Sequence, residues 1–216
     1  MSYYNSIAPA SLVKSALGAL VLAGFLGLPP AFAEQAASTE HDHHAHHHHE
    51  VAAGVRRSEA SYAIPDVTLV NQDGQRVAVR DLLNTDKPVL VNFIFTTCTA
   101  ICPAMSATFT QVQQGLADDT AKVLMVSISI DPEQDTPAAL AAYAKRFGAG
   151  PQWLFLTGSL EDSIAVQKAF DAYRGDKMNH VPLTLLRAAP DAPWVRYDGF
   201  ASAADLVQDI RGMIRH

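Results

Sequence analysis

Val89-Leu90-Val91-Asn92-Phe93-Ile94-Phe95-Thr96-Thr97-Cys98-Thr99-Ala100-Ile101-Cys102-Pro103 is the stretch from which the fold is read. Residues 89–95 are apolar on both faces, the pattern of a central strand in a sheet covered on two sides. The carboxyl end of that strand delivers the only two cysteines of the 216-residue chain. Pro103 suits a first helical turn, where its missing N–H would have had no partner, so a helix starts near residues 100–103. With that turn helical, four residues of rise set the Cα atoms of Cys98 and Cys102 about 6 Å apart on one face. This is near the wide end of the roughly 4.4–6.8 Å disulfide window. The pair can close on itself or open to hold one ion between two thiolates, and the helix N-terminus draws the thiols toward the reactive form. A structural disulfide across four residues would remove little unfolded-chain entropy. Inert buried thiols fit poorly with Thr96, Thr97 and Thr99 around them. Redox chemistry and soft-metal binding are the roles the pattern favours.

Residues 67–70 and 76–79 read as a hairpin around Asp73-Gly74. A short helical turn follows at residues 81–83. Helical spacing of Met105, Phe109, Val112 and Leu116 predicts a helix over 103–117. A second buried strand covers 122–130, and Thr136 or Asp135 caps a helix over 137–147. A strand at 153–156 and a helix over 159–173 come next. A closing hairpin pairs 183–187 with 194–197, and Ser202 caps a last helix over 203–214. This order is that of an α/β, thioredoxin-like fold, with an N-terminal β-hairpin extension and an inserted strand-helix unit. Helices should cover both sheet faces. Ligands in such sheets gather at the carboxyl ends of the strands, where Cys98, Asp131 and the loop before Leu183 fall.

Upstream, residues 16–28 form an apolar core after a leader whose one charge is Lys14, and Ala31-Phe32-Ala33 supplies a small-x-small cleavage pattern. Residues 1–33 therefore read as a secretory signal peptide. The run is short of the ~20 residues needed to span a bilayer, which favours cleavage over an uncleaved N-terminal anchor. No cysteine near the cleavage site would take a lipid. Export places the protein in the periplasm or another extracytoplasmic compartment, where an open dithiol needs a reductant or a bound metal. Losing Lys14 takes the formal charge from −6 to −7 with no basic cluster left, so nucleic acid is not an expected partner. Residues 34–60 read as a disordered linker and 61–216 as the folded domain. The linker holds His41, His43, His44, His46, His47, His48 and His49, seven of the nine histidines. A polar segment of this kind has nothing to bury, and its imidazoles make overlapping weak sites for Cu(II), Zn(II) or Ni(II) that suit metal capture.

Three motifs in order resemble the Sco/SenC family of extracytoplasmic copper proteins. They are the CxxxCP run Cys98-Thr99-Ala100-Ile101-Cys102-Pro103, the acidic Asp131-Pro132-Glu133-Gln134-Asp135-Thr136-Pro137, and His180 ahead of Leu183-Thr184-Leu185-Leu186. Residues 153–158 are also similar, and Pro182 departs from the family pattern. The resemblance covers most of residues 62–216. It implies one copper ion, Cu(I) or Cu(II), on Cys98, Cys102 and His180. Two thiolates and an imidazole are a soft set that favours Cu(I), whereas zinc would want a fourth ligand. Asp135 is explained by helix capping, while Asp131 is free to orient a ligand or meet a partner. Both are read as supporting or partner-facing residues rather than direct ligands. Met105 and Met178 offer sulfur nearby and have no assigned role.

The resemblance implies a metallochaperone that delivers copper to the copper centre of a respiratory haem-copper oxidase. Its partners would be the copper-receiving subunit or another copper chaperone. The alternative is a thiol-disulfide oxidoreductase that reduces the acceptor's cysteines, with Cys98 and Cys102 catalytic and a thiol reductant as donor. CxxxC spacing argues against general thioredoxin activity, for which CxxC is the familiar motif. A peroxidase would need a proline where Phe95 stands.

Overall fold

The computed structural model describes residues 54–215; the signal segment and the histidine tract read from the sequence lie outside them. The strands are β1 (Arg56–Ala60), β2 (Thr68–Asn71), β3 (Arg76–Ala78), β4 (Val89–Ile94), β5 (Leu124–Ser129), β6 (Trp153–Thr157), β7 (Leu183–Arg187) and β8 (Trp194–Asp198). The helices are α1 (Val79–Leu83), α2 (Ile101–Leu116), α3 (Pro137–Arg146), α4 (Leu160–Ala169) and α5 (Ala203–Ile214). All eight strands join one sheet in the order β1-β8-β7-β4-β5-β6-β2-β3.

The apolar run at 89–94 sits where its composition requires, at the centre and buried at every position. Alternate side chains face opposite ways along a strand. Leu90 and Ile94 accordingly enter one core with Phe109, Val112, Trp153 and Leu206. Val89, Val91 and Phe93 enter a second core with Val79, Leu83, Val166 and Phe170. Helices α2, α3 and α5 cover the first core, and α1 and α4 the second.

Topology explains why distant residues meet at one rim. β4 runs parallel to β5, and β5 to β6, so their carboxyl ends share an edge. β7 is antiparallel to β4, with Asn92 opposite Thr184, so the start of β7 and the loop before it reach the same edge.

Three local features differ from the sequence reading. Residues 56–60, assigned there to the linker, form β1 against β8. Arg-Arg-Ser-Glu-Ala carries no strand-like apolar signal; backbone pairing holds it, helped by Arg56–Asp198 and Arg57–Asp209 ion pairs. Helix α4 ends at Ala169 rather than near Tyr173. The Arg196 guanidinium donates to the carbonyls of Phe170 and Asp171 at 2.9 and 3.3 Å, and Asp171 turns to φ 49°. A 3-10 helix, Ala117–Lys122, links α2 to β5, where the sequence reading assigned no element between residues 117 and 122.

Candidate metal centre

Helix α2 begins without a side-chain cap: Ala100 stands at its N-cap and offers no oxygen to the first helical N–H groups. Such groups need partners. They find one in sulfur, with the Cys102 N–H 3.4 Å from Cys98 Sγ and the Ala100 and Ile101 N–H groups also bonded to that thiol. Burial works against ionisation of Cys98, but these N–H groups and the Cys102 thiol outweigh it and hold the Cys98 pKa below the ordinary thiol value. Cys102, one turn on, is fully buried. Burial pushes its thiol up to about 12 against the Phe95 N–H, 3.4 Å from the sulfur, with the charges of Cys98 and Asp135 adding to the rise. The sulfurs are unbridged and unequal. Cys98 is the half-buried, ionisable one and Cys102 the buried, protonated one.

His180 follows the 3-10 turn Lys177–Asn179 and precedes β7. Only 6% of the residue is exposed. Burial lowers its pKa, the Arg174 charge adds to this, and a hydrogen bond to the Phe93 backbone opposes it without prevailing. The ring is therefore neutral at physiological pH. Its Nε2 is buried without a partner, so Nδ1 donates to the Phe93 carbonyl and the lone pair sits on Nε2. A ligating imidazole commonly has this arrangement, one nitrogen fixed by a carbonyl and the other free for an ion. A buried acceptor left unpaired is otherwise costly.

The two acidic residues do work the sequence did not disclose. Thr136, not Asp135, caps α3, accepting from the Ala139 N–H at 3.2 Å. Asp135 is fully buried and holds the loop leading to Cys98: its carboxylate accepts from the Thr96 N–H at 3.0 Å, Thr96 Oγ1 at 2.5 Å and Ser129 Oγ at 2.6 Å. Asp131 is 6% exposed and paired to Lys177 Nζ at 2.5 Å, which ties the end of β5 to the turn before His180. Both carboxylates accept from internal donors. Lys177, Ser129 and Thr96 went unrecognised in the sequence, where an ordinary lysine, serine or threonine gives no signal of such a role.

Cys98 and His180 line one cavity of about 230 Å³, together with Phe95, Thr97, Lys177 and Met178. Cys102 lies beneath Cys98 and is not on the cavity wall. Among the described residues, no three His, Cys, Asp or Glu side chains are gathered tightly enough to hold an ion as they stand. The fit is thus one of chemistry and shared cavity: an unpaired imidazole nitrogen, an ionisable sulfur and a second sulfur one turn behind. The Lys177–Asp131 pair and the Asp176 cap on the Met178 N–H hold the His180 turn. Pro182 lies just beyond, its carbonyl accepting from the Gly199 N–H at 2.9 Å. Met105 packs in the interior, 3% exposed. Clefts of about 600 and 660 Å³ elsewhere carry neither cysteine nor histidine, so size does not mark this site.

Residues 55–215 match the family described as SCO1/SenC. The SCO1 protein homolog of Bacillus subtilis (strain 168) is 36% identical over 105 residues, 48% of this chain and 53% of the relative. The chain spans about half the length of the curated relatives it matches. Arabidopsis thaliana ScoI with copper bound superposes with a TM-score of 0.58 at 27% identity, over 71% of this chain and 99% of that one. BsSco, described with a disulfide switch and as a member of the Sco family of cytochrome c oxidase assembly proteins, gives 0.60 at 30% identity, over 72% and 95%. These structures share the thioredoxin-like α/β arrangement of this chain.

Proposed function

The chain belongs to the SCO1/SenC family, and from that footing we propose that it binds one copper ion through Cys98, Cys102 and His180 and passes it to the copper centre of a respiratory haem-copper oxidase. One observation carries the reading: His180, whose Nε2 is unpaired, lines the same cavity as Cys98, whose sulfur sits at the N-terminal end of α2 with Cys102 one turn behind it. An imidazole and two sulfurs are a donor set for Cu(I). The copper-bound relative and the oxidase-assembly relative support the cargo and the recipient. Copper here is cargo, so the residues need only bind, release and shield it. Phe95 and Met178 give the cavity apolar walls, and Lys177 Nζ stands 5.7 Å from the Phe95 ring centre. The protein acts outside the cytoplasm once residues 1–33 are removed, and the histidines of residues 41–49 capture metal weakly.

Anaerobic Cu(I) titration tests this. Cys98→Ser and Cys102→Ser should each abolish the tight stoichiometric site and His180→Ala should weaken it; a tight complex surviving in either serine variant would contradict the assignment. Deleting residues 41–49 should reduce loading only when metal is limiting.

A second activity is supported by the inequality of the thiols. The Cys98 thiolate attacks an acceptor disulfide, forming a mixed disulfide and releasing one acceptor thiolate. Cys102 then gives up its proton and attacks Cys98 Sγ, freeing the second acceptor sulfur and leaving Cys98–Cys102 oxidised. A thiol reductant resets the pair. His180→Ala separates the two activities, since it should spare this exchange while weakening copper binding.

A further inference from the structure

The cavity between Cys98 and His180 carries a third soft donor to which copper binding by the other three residues gives no task. Met178 lies on the turn Lys177–Asn179, lines that cavity and is 74% exposed, more than Leu160, Val181 or Phe200. Packing does not account for it, because a side chain three-quarters in solvent contributes little burial; Met105 and Met125 are the methionines in the interior. Its backbone is nonetheless anchored. Asp176 Oδ1 accepts the Met178 N–H at 2.8 Å, and the neighbouring Lys177 is bound to buried Asp131 at 2.5 Å. A fixed turn thus presents a thioether at the cavity mouth, on a side chain whose three rotatable bonds let the sulfur swing inward. The donors are graded by depth: Met178 in solvent, Cys98 half-buried, His180 and Cys102 buried.

Resting on the copper reading above, we propose that Met178 is the first-contact ligand for Cu(I), and the last one on release. The Met178 Sδ forms a Cu–S bond as one bond from the external carrier to the ion breaks. Cys98 and Cys102, each binding as thiolate with its proton passed to solvent, and His180 Nε2 then displace the remaining external donor, and the thioether lets go. The ion stays Cu(I) throughout, so no oxidant or reductant is consumed, and the neutral thioether loses no proton when it binds. Soft sulfur suits Cu(I) at each stage.

Stopped-flow transfer of Cu(I) between its bicinchoninate complex and the full chain tests this. The relevant kinetic phase is the one that Cys98→Ser lacks, which separates it from binding to the histidine tract. Met178→Leu keeps the apolar bulk and removes the sulfur, and at so exposed a position it does not disturb the fold. It should slow loading and unloading alike, each by roughly tenfold. Wild-type rates in Met178→Leu overturn the proposal, as does slowed loading with accelerated unloading, the mark of a resident ligand. If the wild-type chain itself shows no cysteine-dependent phase, the copper reading falls and this proposal with it, an outcome distinct from a normal wild-type phase that Met178→Leu leaves unchanged.

Discussion

Asp135→Ala should cost the fold several kcal/mol while removing no sulfur and no imidazole. The carboxylate is fully buried and is the acceptor for three donors, the Thr96 N–H, the Thr96 hydroxyl and the Ser129 hydroxyl. Alanine strands all three. The Thr96 N–H cannot turn away, and a buried donor left unpaired costs about 1–3 kcal/mol. The two hydroxyls can rotate toward other acceptors, so each adds about 0.5–1 kcal/mol. The total is about 2–5 kcal/mol, on the order of 10 °C in Tm at this chain length. Asp135→Asn keeps one oxygen for Thr96 and turns its amide toward Ser129 Oγ, which then accepts, so its loss should be about 1 kcal/mol. Urea denaturation of the reduced, metal-free protein reads the difference through the buried Trp153 and Trp194, and hydrogen exchange at the Thr96 amide locates it. An alanine variant within about 1 kcal/mol of wild type, or an asparagine variant as damaged as the alanine one, would refute the view that acceptor geometry holds the loop before Cys98.

Thiol labelling of the reduced, metal-free protein should modify Cys98 first, with a rate midpoint below the ordinary thiol pH, while Cys102, at about 12, stays silent until the chain unfolds; equal labelling by mass spectrometry would contradict the inequality. His180 should make stability fall in acid. Its folded pKa lies below the unfolded value of about 6.5, so in that window the unfolded chain binds the extra proton; the contribution is whole above that pH and is lost as pH falls toward the folded value. His180→Gln should therefore show a smaller drop in urea midpoint than wild type between about pH 7 and 5. Gly199→Ala should cost about 1–3 kcal/mol and free β1 to protease, because Gly199 has φ 111° and an added Cβ would stand 2.9 Å from the Gly54 carbonyl oxygen. Wild-type resistance at residues 54–60 would count against this.

Much of the architecture was legible because it is written in local patterns. Five apolar residues among the six of 89–94 marked a strand covered on both faces, and Pro137 behind Thr136 announced a helix start that the structure keeps. The strand at 56–60 escaped because its stability comes from the β8 backbone and from Asp198 and Asp209, all far along the chain. The early end of α4 escaped because Arg196, on β8, terminates it. At the candidate site, the spacing of Cys98 and Cys102 was plain. Asp135 was misassigned as a cap because sequence proximity to α3 hid its bonds to Thr96 and Ser129.

By itself the sequence determined the order of strands and helices, the placing of two thiols one helical turn apart and the isolation of His180 before a strand. Periodicity, capping and spacing act over a few residues and need no distant partner. Only the tertiary structure decided which sulfur ionises, which imidazole nitrogen stays free and which carboxylate holds which loop. Those outcomes depend on depth and on partner atoms that parallel β4 and β5 and antiparallel β7 bring to one edge of the sheet.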